Sequence, residues 1–124
     1  MSLPADLRYT SDHEWIATDD EVSTVGITAH AADALGDVVF LSLPAVGSTI
    51  VGGEPCGEIE STKSVSDLVA PADGEVVEIN EAALAEPEVV NRDPFGAGWL
   101  FRMRITGTGD LLDATAYAAL IEGA

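Results

Sequence analysis

The sequence predicts a mainly-β fold, a barrel-sandwich hybrid of short antiparallel strands with pseudo-twofold halves, short helices and a C-terminal helix. The first observation behind this prediction is the frequency of turn residues between short β-forming runs. The second is an internal repeat, because Gly-Asp-Val-Val-Phe-Leu at 36–41 resembles Gly-Glu-Val-Val-Glu-Ile at 74–79. The third is the length of 124 residues, which fits a single domain over 1–124 with its core at about 7–122.

In the first half of the chain, three segments have the composition of strands: Tyr9 with 13–17, then 22–28, and 38–43. The first two flank a polar turn at 18–21, which predicts a hairpin. Thr28 is suited to cap a short helix over 29–35, and Gly36 stands where helices commonly end. Pro44 then ends the third strand.

In the second half, four segments have the composition of strands: 58–62, 65–70, 75–79 and 99–105. The segment 99–105 alternates with a period of two, and one of its faces is entirely apolar: Trp99, Phe101, Met103 and Ile105. This alternation predicts a half-buried strand. Asn80 is suited to cap a helix over 81–85, and Asp113 to cap the main part of a C-terminal helix over 111–121.

The chain carries a formal net charge of −17, from 22 carboxylates against five cations. Such a surface repels phosphate backbones and anionic lipid, so we expect no nucleic-acid or membrane partner.

The segment 1–6 lacks the features of a secretion signal or a transit peptide, and the predicted compartment is the cytoplasm. Cys56 is the only cysteine, and its apolar context predicts a buried structural thiol.

Lys63 is the only lysine of the chain, and its surroundings predict a tight hairpin. The flanking strands leave almost no residues between them, so the lysine falls at or next to the turn. Four small polar residues make this tip hydrated: Ser61, Thr62, Ser64 and Ser66. A Schiff-base lysine needs a desolvated pocket, so this tip favours covalent acylation by another enzyme instead. Glu60 and Asp67, on either side, are suited to guide that enzyme.

Motifs of catalysis and metal binding are absent from the sequence. It has no Gly-x-Ser-x-Gly elbow, no phosphate-binding glycine loop and no Cys/His set with metal spacing. His13 and His30 fall in separate elements, and carboxylates are too abundant for any one pair to be informative. We therefore expect a non-catalytic protein without a metal site.

The segment Glu-Ser-Thr-Lys-Ser-Val-Ser-Asp at 60–67 resembles the lipoylation signature of the H-protein of the glycine cleavage system. The resemblance covers residues 7–122, in order and with family-like spacing. Further segments carry it: 13–15, 25–31, 35–40, 70–71, 74–76, 90–91, 94–95, 98–99 and 111–117. Two positions depart from the family pattern, because Thr62 and Ser64 replace its common valine and alanine. Both replacements are small and keep the tip accessible.

This resemblance implies a carrier that catalyses no reaction by itself. A lipoyl-attaching enzyme would join lipoate to Lys63 as an amide, and the lipoylation context would be Glu60, Ser61, Thr62 and Ser64. A pyridoxal-phosphate glycine decarboxylase (P-protein) would load the arm with an aminomethyl group. A tetrahydrofolate-dependent aminomethyltransferase (T-protein) would take the methylene unit, and a flavin-dependent dihydrolipoyl dehydrogenase (L-protein) would reoxidise the dithiol.

The resemblance also implies a cleft on the carrier that shelters the loaded arm. By position, Glu14 and Asp67 are the candidates for contacting the ammonium group of the arm, with His30 nearby. A carboxylate only accepts hydrogen bonds, so it suits that contact. In the alternative interpretation, Glu14 and Asp67 are surface or turn carboxylates, and His30 is a helix-start residue held by a local hydrogen bond.

Three other functions stay open at this point. One is a different swinging-arm carrier, either a lipoyl domain of a 2-oxoacid dehydrogenase or a biotin carboxyl carrier. Those domains usually have Asp-Lys-Ala or Met-Lys-Met at the tip, whereas residues 62–64 are Thr-Lys-Ser here. The second is a relay protein that passes lipoate to other carriers. The third is an acidic interaction module without a prosthetic group.

Overall fold

The computed structural model of the chain describes residues 6–19, 21–107 and 111–122. Within these residues the fold consists of two antiparallel sheets and four helices, and the sheets do not close into a barrel. The prediction of a mainly-β fold with short helices and a C-terminal helix is confirmed. The two sheets pack through a shared apolar core to which both contribute, including Met103 from the larger sheet and Leu68 from the smaller.

The strands of the described chain are β1 (Arg8–Tyr9), β2 (Glu14–Asp19), β3 (Val22–Ile27), β4 (Val38–Ser42), β5 (Thr49–Ile50), β6 (Pro55–Ser61), β7 (Val65–Val69), β8 (Asp73–Ile79) and β9 (Phe101–Gly107). The larger sheet has the order β1-β2-β3-β9-β8-β5, and the smaller has the order β4-β6-β7. The helices are α1 (Ala29–Leu35), α2 (Glu81–Ala85), α3 (Val89–Arg92) and α4 (Ala114–Glu122).

The predicted helix caps are confirmed because the signals that specify them are local. Thr28, Asn80 and Asp113 each accept a hydrogen bond from a backbone N–H three residues further on. Gly36 follows α1 with a φ of 81°, the left-handed conformation that favours glycine at the end of a helix. Helix ends are therefore the best predicted boundaries of this chain.

The structure corrects the start of the C-terminal helix, which was predicted over 111–121 but begins at Ala114. Leu112 instead forms an isolated β-bridge with Tyr9. The N–H of Leu112 donates to the carbonyl of Tyr9 at 2.7 Å, and its carbonyl accepts from the N–H of Tyr9 at 2.8 Å. Because this pairing holds Leu112 extended, the helix begins only after the capping residue Asp113.

Tyr9, predicted as part of the first strand pair, lies in β1 and pairs with Trp15 of β2. Strand β5 and helix α3 were not predicted, since elements of two to four residues are too short for a periodic pattern. The predicted turn at 18–21 is shorter than expected, because β2 continues to Asp19, which pairs with Val22. Asp20 lies outside the described residues. The last strand, predicted to end at 105, continues to Gly107.

The internal repeat corresponds to two equivalent strand pairs. β4 pairs antiparallel with β6, and β8 pairs antiparallel with β9. Both pairs shift register at the matching place, between Val38 and Phe40 in the first and between Val76 and Glu78 in the second. The repeated sequence therefore encodes the same bulged strand twice, once in each sheet.

Cys56 is half-buried and packs against the main core, so its thiol is structural as predicted but less buried than expected. Desolvation raises the pKa of this thiol to about 12, which keeps it protonated and unreactive.

Within the part of the chain that is described, no helix is long and apolar enough to cross a membrane. The same residues contain no group of three or more His, Cys, Asp or Glu side chains placed to hold a metal ion.

Candidate functional site

Lys63 is exposed at the tip of the hairpin that β6 and β7 form. The last pair in the ladder is Glu60 with Val65, and the strands end at Ser61 and begin again at Val65. Lys63 is the middle residue of the connection, with Thr62 and Ser64 also exposed on either side. The structure therefore places the only lysine where another protein can reach its amine.

Ser61 organises the backbone of this tip and is buried, in contrast to the hydrated position predicted for it. Its hydroxyl oxygen accepts hydrogen bonds from the N–H groups of Lys63 at 3.2 Å and Ser64 at 3.1 Å. The hydroxyl also donates to the Ser64 carbonyl at 3.2 Å. A side chain that satisfies several backbone groups of one turn fixes its conformation, so the tip is held from beneath.

The connection between α1 and β4 supports the lysine from one side. A Cβ atom at Gly36 would lie 2.9 Å from Cε of Lys63, so the lysine stem lies against the glycine backbone. The backbone carbonyl of Asp37 accepts a hydrogen bond from the backbone N–H of Thr62 at 3.0 Å. The side-chain amide of Asn91 stabilises this connection through two hydrogen bonds. Its Nδ2 donates to the Gly36 carbonyl at 2.8 Å, and its Oδ1 accepts from the Val38 N–H at 2.9 Å.

A cavity of about 230 Å³ lies beside the hairpin. Helix α1 and strand β7 form much of its wall, so the hairpin that carries Lys63 also encloses the cavity. Its lining is mostly apolar, with a few polar and charged groups: Asp12, His13, Glu14, Ile27, Ala31, Ala34, Leu35, Ile59, Ser66, Asp67, Leu68 and Val69. A mainly apolar cavity with a few polar groups is typical of a ligand site.

Glu14 is the buried titratable group of this cavity, with only 2% of its surface exposed. Its Oε1 accepts a hydrogen bond from the Thr10 hydroxyl at 3.2 Å, whereas Oε2 has no partner among the described residues. Desolvation raises the pKa of the Glu14 carboxyl to about 8, against the weaker lowering effect of Thr10. The carboxyl is therefore mainly protonated at neutral pH, and it can bind a cation that enters the cavity.

Asp67 lines the same cavity, so the structure brings two of the predicted residues together. Asp67 is exposed, however, and it pairs with Glu58 across the solvent-facing side of the smaller sheet. Its neighbours Ser66 and Leu68 point to the opposite side, because side chains alternate along a strand. Asp67 therefore belongs to the rim of the cavity, and Glu14 to its interior.

His30 is not among the described residues that line the cavity, whereas His13, to which the sequence assigned no role, lines it directly. The ring centroids of the two histidines are 4.9 Å apart, so His30 packs against His13, which lines the cavity. Desolvation and the proximity of His30 lower the pKa of His13. Asp12 was also missed, and the available signal was that both residues immediately precede Glu14 in the sequence.

Tyr117, from the C-terminal helix, connects two parts of the site at its buried hydroxyl. This group lies 2.8 Å from Nδ1 of His13 and 2.7 Å from the hydroxyl of Thr28, which caps α1. The Tyr117 ring also stacks on Tyr9, with 4.9 Å between the ring centroids. The C-terminal helix thereby holds two segments that form the cavity wall.

Fold and site together define a class of protein: a small β-sheet carrier domain that presents a single lysine at a hairpin tip, beside an apolar cavity. The sequence model of the glycine cleavage H-protein matches residues 7–123 of this chain. The chain therefore belongs to the glycine cleavage H-protein family.

Individual relatives agree with this assignment over nearly their whole length. A glycine cleavage system H protein from Beutenbergia cavernae is 63% identical over 123 residues, which cover 99% of each chain. A protein of the same name from Thermobifida fusca is 54% identical over 124 residues, covering 99% of this chain and 98% of the relative. The crystal structure of a glycine cleavage system H protein from Mycobacterium marinum superposes with a TM-score of 0.92 at 52% identity, covering 98% of this chain and 100% of that one.

Proposed function

We propose that this chain is a lipoyl-bearing carrier of the glycine cleavage system in the cytoplasm, with lipoate joined as an amide to Lys63. It takes the aminomethyl group of glycine from the P-protein to the T-protein, and it takes reducing equivalents to the L-protein. It catalyses none of these reactions itself. The observation that carries the proposal is the exposed, single lysine at a hairpin tip whose strands also wall a cavity containing a buried carboxyl.

The chemistry of lipoate attachment needs an accessible amine and an activated acyl donor. The uncharged Nζ of Lys63 attacks the carboxyl carbon of the donor, the C–N bond forms, and the activating group leaves while the amine loses a proton. The flanking residues Thr62 and Ser64 are exposed and small, so they leave the amine open to the attaching enzyme. Ser61 fixes the turn, and Glu60 lies in the last strand pair before it.

When attached to Lys63, lipoate would supply a dithiolane on a flexible arm, whose two sulfur atoms can carry an aminomethyl group and the electron pair that opens the S–S bond. The residues of this chain fit such a group. The cavity beside the tip is mainly apolar, which suits the hydrocarbon part of the arm, and its volume of about 230 Å³ admits a slender chain. The unpartnered Oε2 of Glu14 suits an ammonium group at the end of that chain.

Glu14 binds the ammonium of the loaded arm in this proposal, and Asp67 contributes from the rim of the cavity. An approaching cation favours the ionised form of Glu14, so the carboxyl releases its proton to solvent and pairs with the ammonium. The burial of this ion pair excludes water from the carbon–sulfur bond of the arm. His30 acts through His13, which faces the cavity directly.

The buried Glu14 favours a glycine carrier over a lipoate relay or a biotin carrier, because lipoate and biotin have no cationic end that such a carboxyl would bind. Reconstituted glycine decarboxylation with purified P-, T- and L-proteins tests the proposal. We expect the lipoylated chain to support turnover and the Lys63→Arg variant to support none. Turnover with the variant, or lipoylation of the wild type without any turnover, would overturn the proposed function.

A further inference from the structure

Three of the large apolar side chains that are exposed in the described chain belong to β4 and β7, the two strands on either side of β6, which leads into the Lys63 connection. They are Val39, Phe40 and Val65, with exposed fractions of 50%, 56% and 57%. We refer to these three residues as the tip patch. Phe40 and Val65 both pair with Glu60, so they flank it in one row across the smaller sheet, directly below the lysine connection.

A β-bulge creates the tip patch. The pairing of β4 with β6 shifts between Val38 and Phe40, which leaves Val39 as the additional residue. Without the bulge, Phe40 would alternate to the same face as Val38 and would enter the core. With it, Val39 and Phe40 are both exposed, and Leu41 is buried instead.

The internal repeat shows that this fold does not require an apolar residue at the position of Phe40. The same bulge occurs in β8, where Glu78 stands at the equivalent place. Glu78 forms an ion pair with Arg102 at 2.8 Å. The strand beside Lys63 thus carries an exposed aromatic ring where its structural copy carries a solvated charge. Exposed apolar side chains that cluster in this way mark interaction surfaces.

The charges around the tip patch define the chemistry of its partner. Glu58, Glu60 and Asp67 are exposed on the same face of the smaller sheet as Phe40 and Val65. The ion pairs found within the described residues use other carboxylates: Glu75, Glu78 and Glu86. A complementary surface therefore has an apolar depression with Arg or Lys side chains around it.

Resting on the proposed function, we propose that the tip patch is the docking surface of the enzyme that attaches the acyl group to Lys63. Partners that act on the finished arm can reach it at a distance from the tip, because the arm is long. The attaching enzyme instead must approach within bonding distance of Nζ, and so it covers the row of residues immediately below the tip. Val65 is two residues from Lys63 in the sequence. Phe40 lies on the other side of Glu60 from Val65, in the same row of the sheet.

Acylation kinetics of the intact chain test this proposal. A lipoate–protein ligase supplied with lipoate and ATP acts on the wild type and on a Phe40→Thr/Val65→Thr variant, and mass spectrometry follows the product. Threonine keeps the strand-forming shape at both positions. The matched control is Val46→Thr/Val51→Thr, which removes two valines with exposed fractions of 58% and 48% elsewhere on the chain. Reaction of Lys63 with an N-hydroxysuccinimide ester of acetate reports whether the amine and the tip are intact.

We expect KM for the tip-patch variant to rise by about tenfold or more, with kcat close to that of the wild type. We expect the control to keep the wild-type constants, and the small reagent to acylate Lys63 at one rate in all three proteins. Equal kcat/KM for all three, or an equal loss in the control, would overturn the docking surface. So would normal acylation combined with lost transfer from the P-protein. A wild type that the ligase never acylates would overturn the proposed function and the docking surface together.

Discussion

The hydroxyl of Tyr117, in the C-terminal helix, lies 2.8 Å from Nδ1 of His13, in the wall of the cavity beside Lys63. The same hydroxyl lies 2.7 Å from that of Thr28, which caps α1. One buried group thus joins the C-terminal helix, the turn before β2 and the start of α1. The tail of the chain thereby stabilises the site, although no residue of α4 lines the cavity.

Substitution of Tyr117 by Phe tests this connection. The ring keeps its packing, but the hydrogen-bonding groups of Thr28 and His13 lose a buried partner, so we expect a loss of about 1–2 kcal/mol in the free energy of unfolding. Denaturant unfolding measures it. A double-mutant cycle with His13→Asn isolates the pair, since asparagine tolerates the φ of 67° at that position. A coupling of about 1 kcal/mol is expected, and strictly additive losses would show that the two side chains do not interact.

The pH dependence of stability tests the protonation of Glu14. Folding raises the pKa of its carboxyl from 4.5 to about 8, so the folded state binds the proton more tightly than the unfolded chain does. The stability that this group contributes is complete below pH 4.5 and is lost as pH rises through about 8. We expect Glu14→Gln to become more stable than the wild type, by on the order of a few kcal/mol, as pH rises across this range. A difference that does not change with pH would contradict the assignment.

The lifetime of the loaded arm tests the proposed role of Glu14 as the ammonium partner. Glu14→Ala removes the carboxyl, so we expect the aminomethyl group to be lost by hydrolysis about tenfold faster or more, as the loss of a charged hydrogen bond implies. Mass spectrometry of the loaded protein over time measures this rate. Asp67→Asn, at the rim of the cavity, should give a smaller increase in this hydrolysis rate. The control is Glu81→Gln, an exposed carboxylate of α2, and an unchanged rate in Glu14→Ala would refute the contact.

Gly36 offers a test of how the lysine stem is positioned. Alanine there is strained by the φ of 81°, and its Cβ would also meet Cε of Lys63 at 2.9 Å. Gly53→Ala is the matched control, because Gly53 has a φ of 86° and nothing within 4 Å of the added Cβ. We expect both variants to lose roughly 1–2 kcal/mol of stability. Only Gly36→Ala should slow enzymatic acylation of Lys63, and equal acylation of the two variants would show that the stem contact is unimportant.

Local signals in the sequence predicted local structure well. Thr28, Asn80 and Asp113 cap helices as predicted, because a cap depends on residues three positions away. Leu112 was misplaced in a helix because its partner, Tyr9, is at the other end of the chain. No local pattern reveals such a pairing.

The candidate site was predictable in part for the same reason. The hairpin around Lys63 is local, and its prediction is confirmed. The burial of Ser61, the participation of His13 in the cavity and the bulge that exposes Phe40 all depend on tertiary contacts. The resemblance to the H-protein family supplied Glu14 and Asp67, which composition and spacing alone do not distinguish from the other carboxylates.

Peptide mass spectrometry of Lys63 is the most direct test of the central claim that this chain carries glycine-derived carbon on a lipoyl-lysine. The chain is first lipoylated and then incubated with isotopically labelled glycine and the P-protein. We expect the peptide containing Lys63 to gain a lipoyl group and then a labelled aminomethyl group, and the Lys63→Arg variant to gain neither. Label that never reaches this peptide, or that reaches the variant equally, would contradict the account.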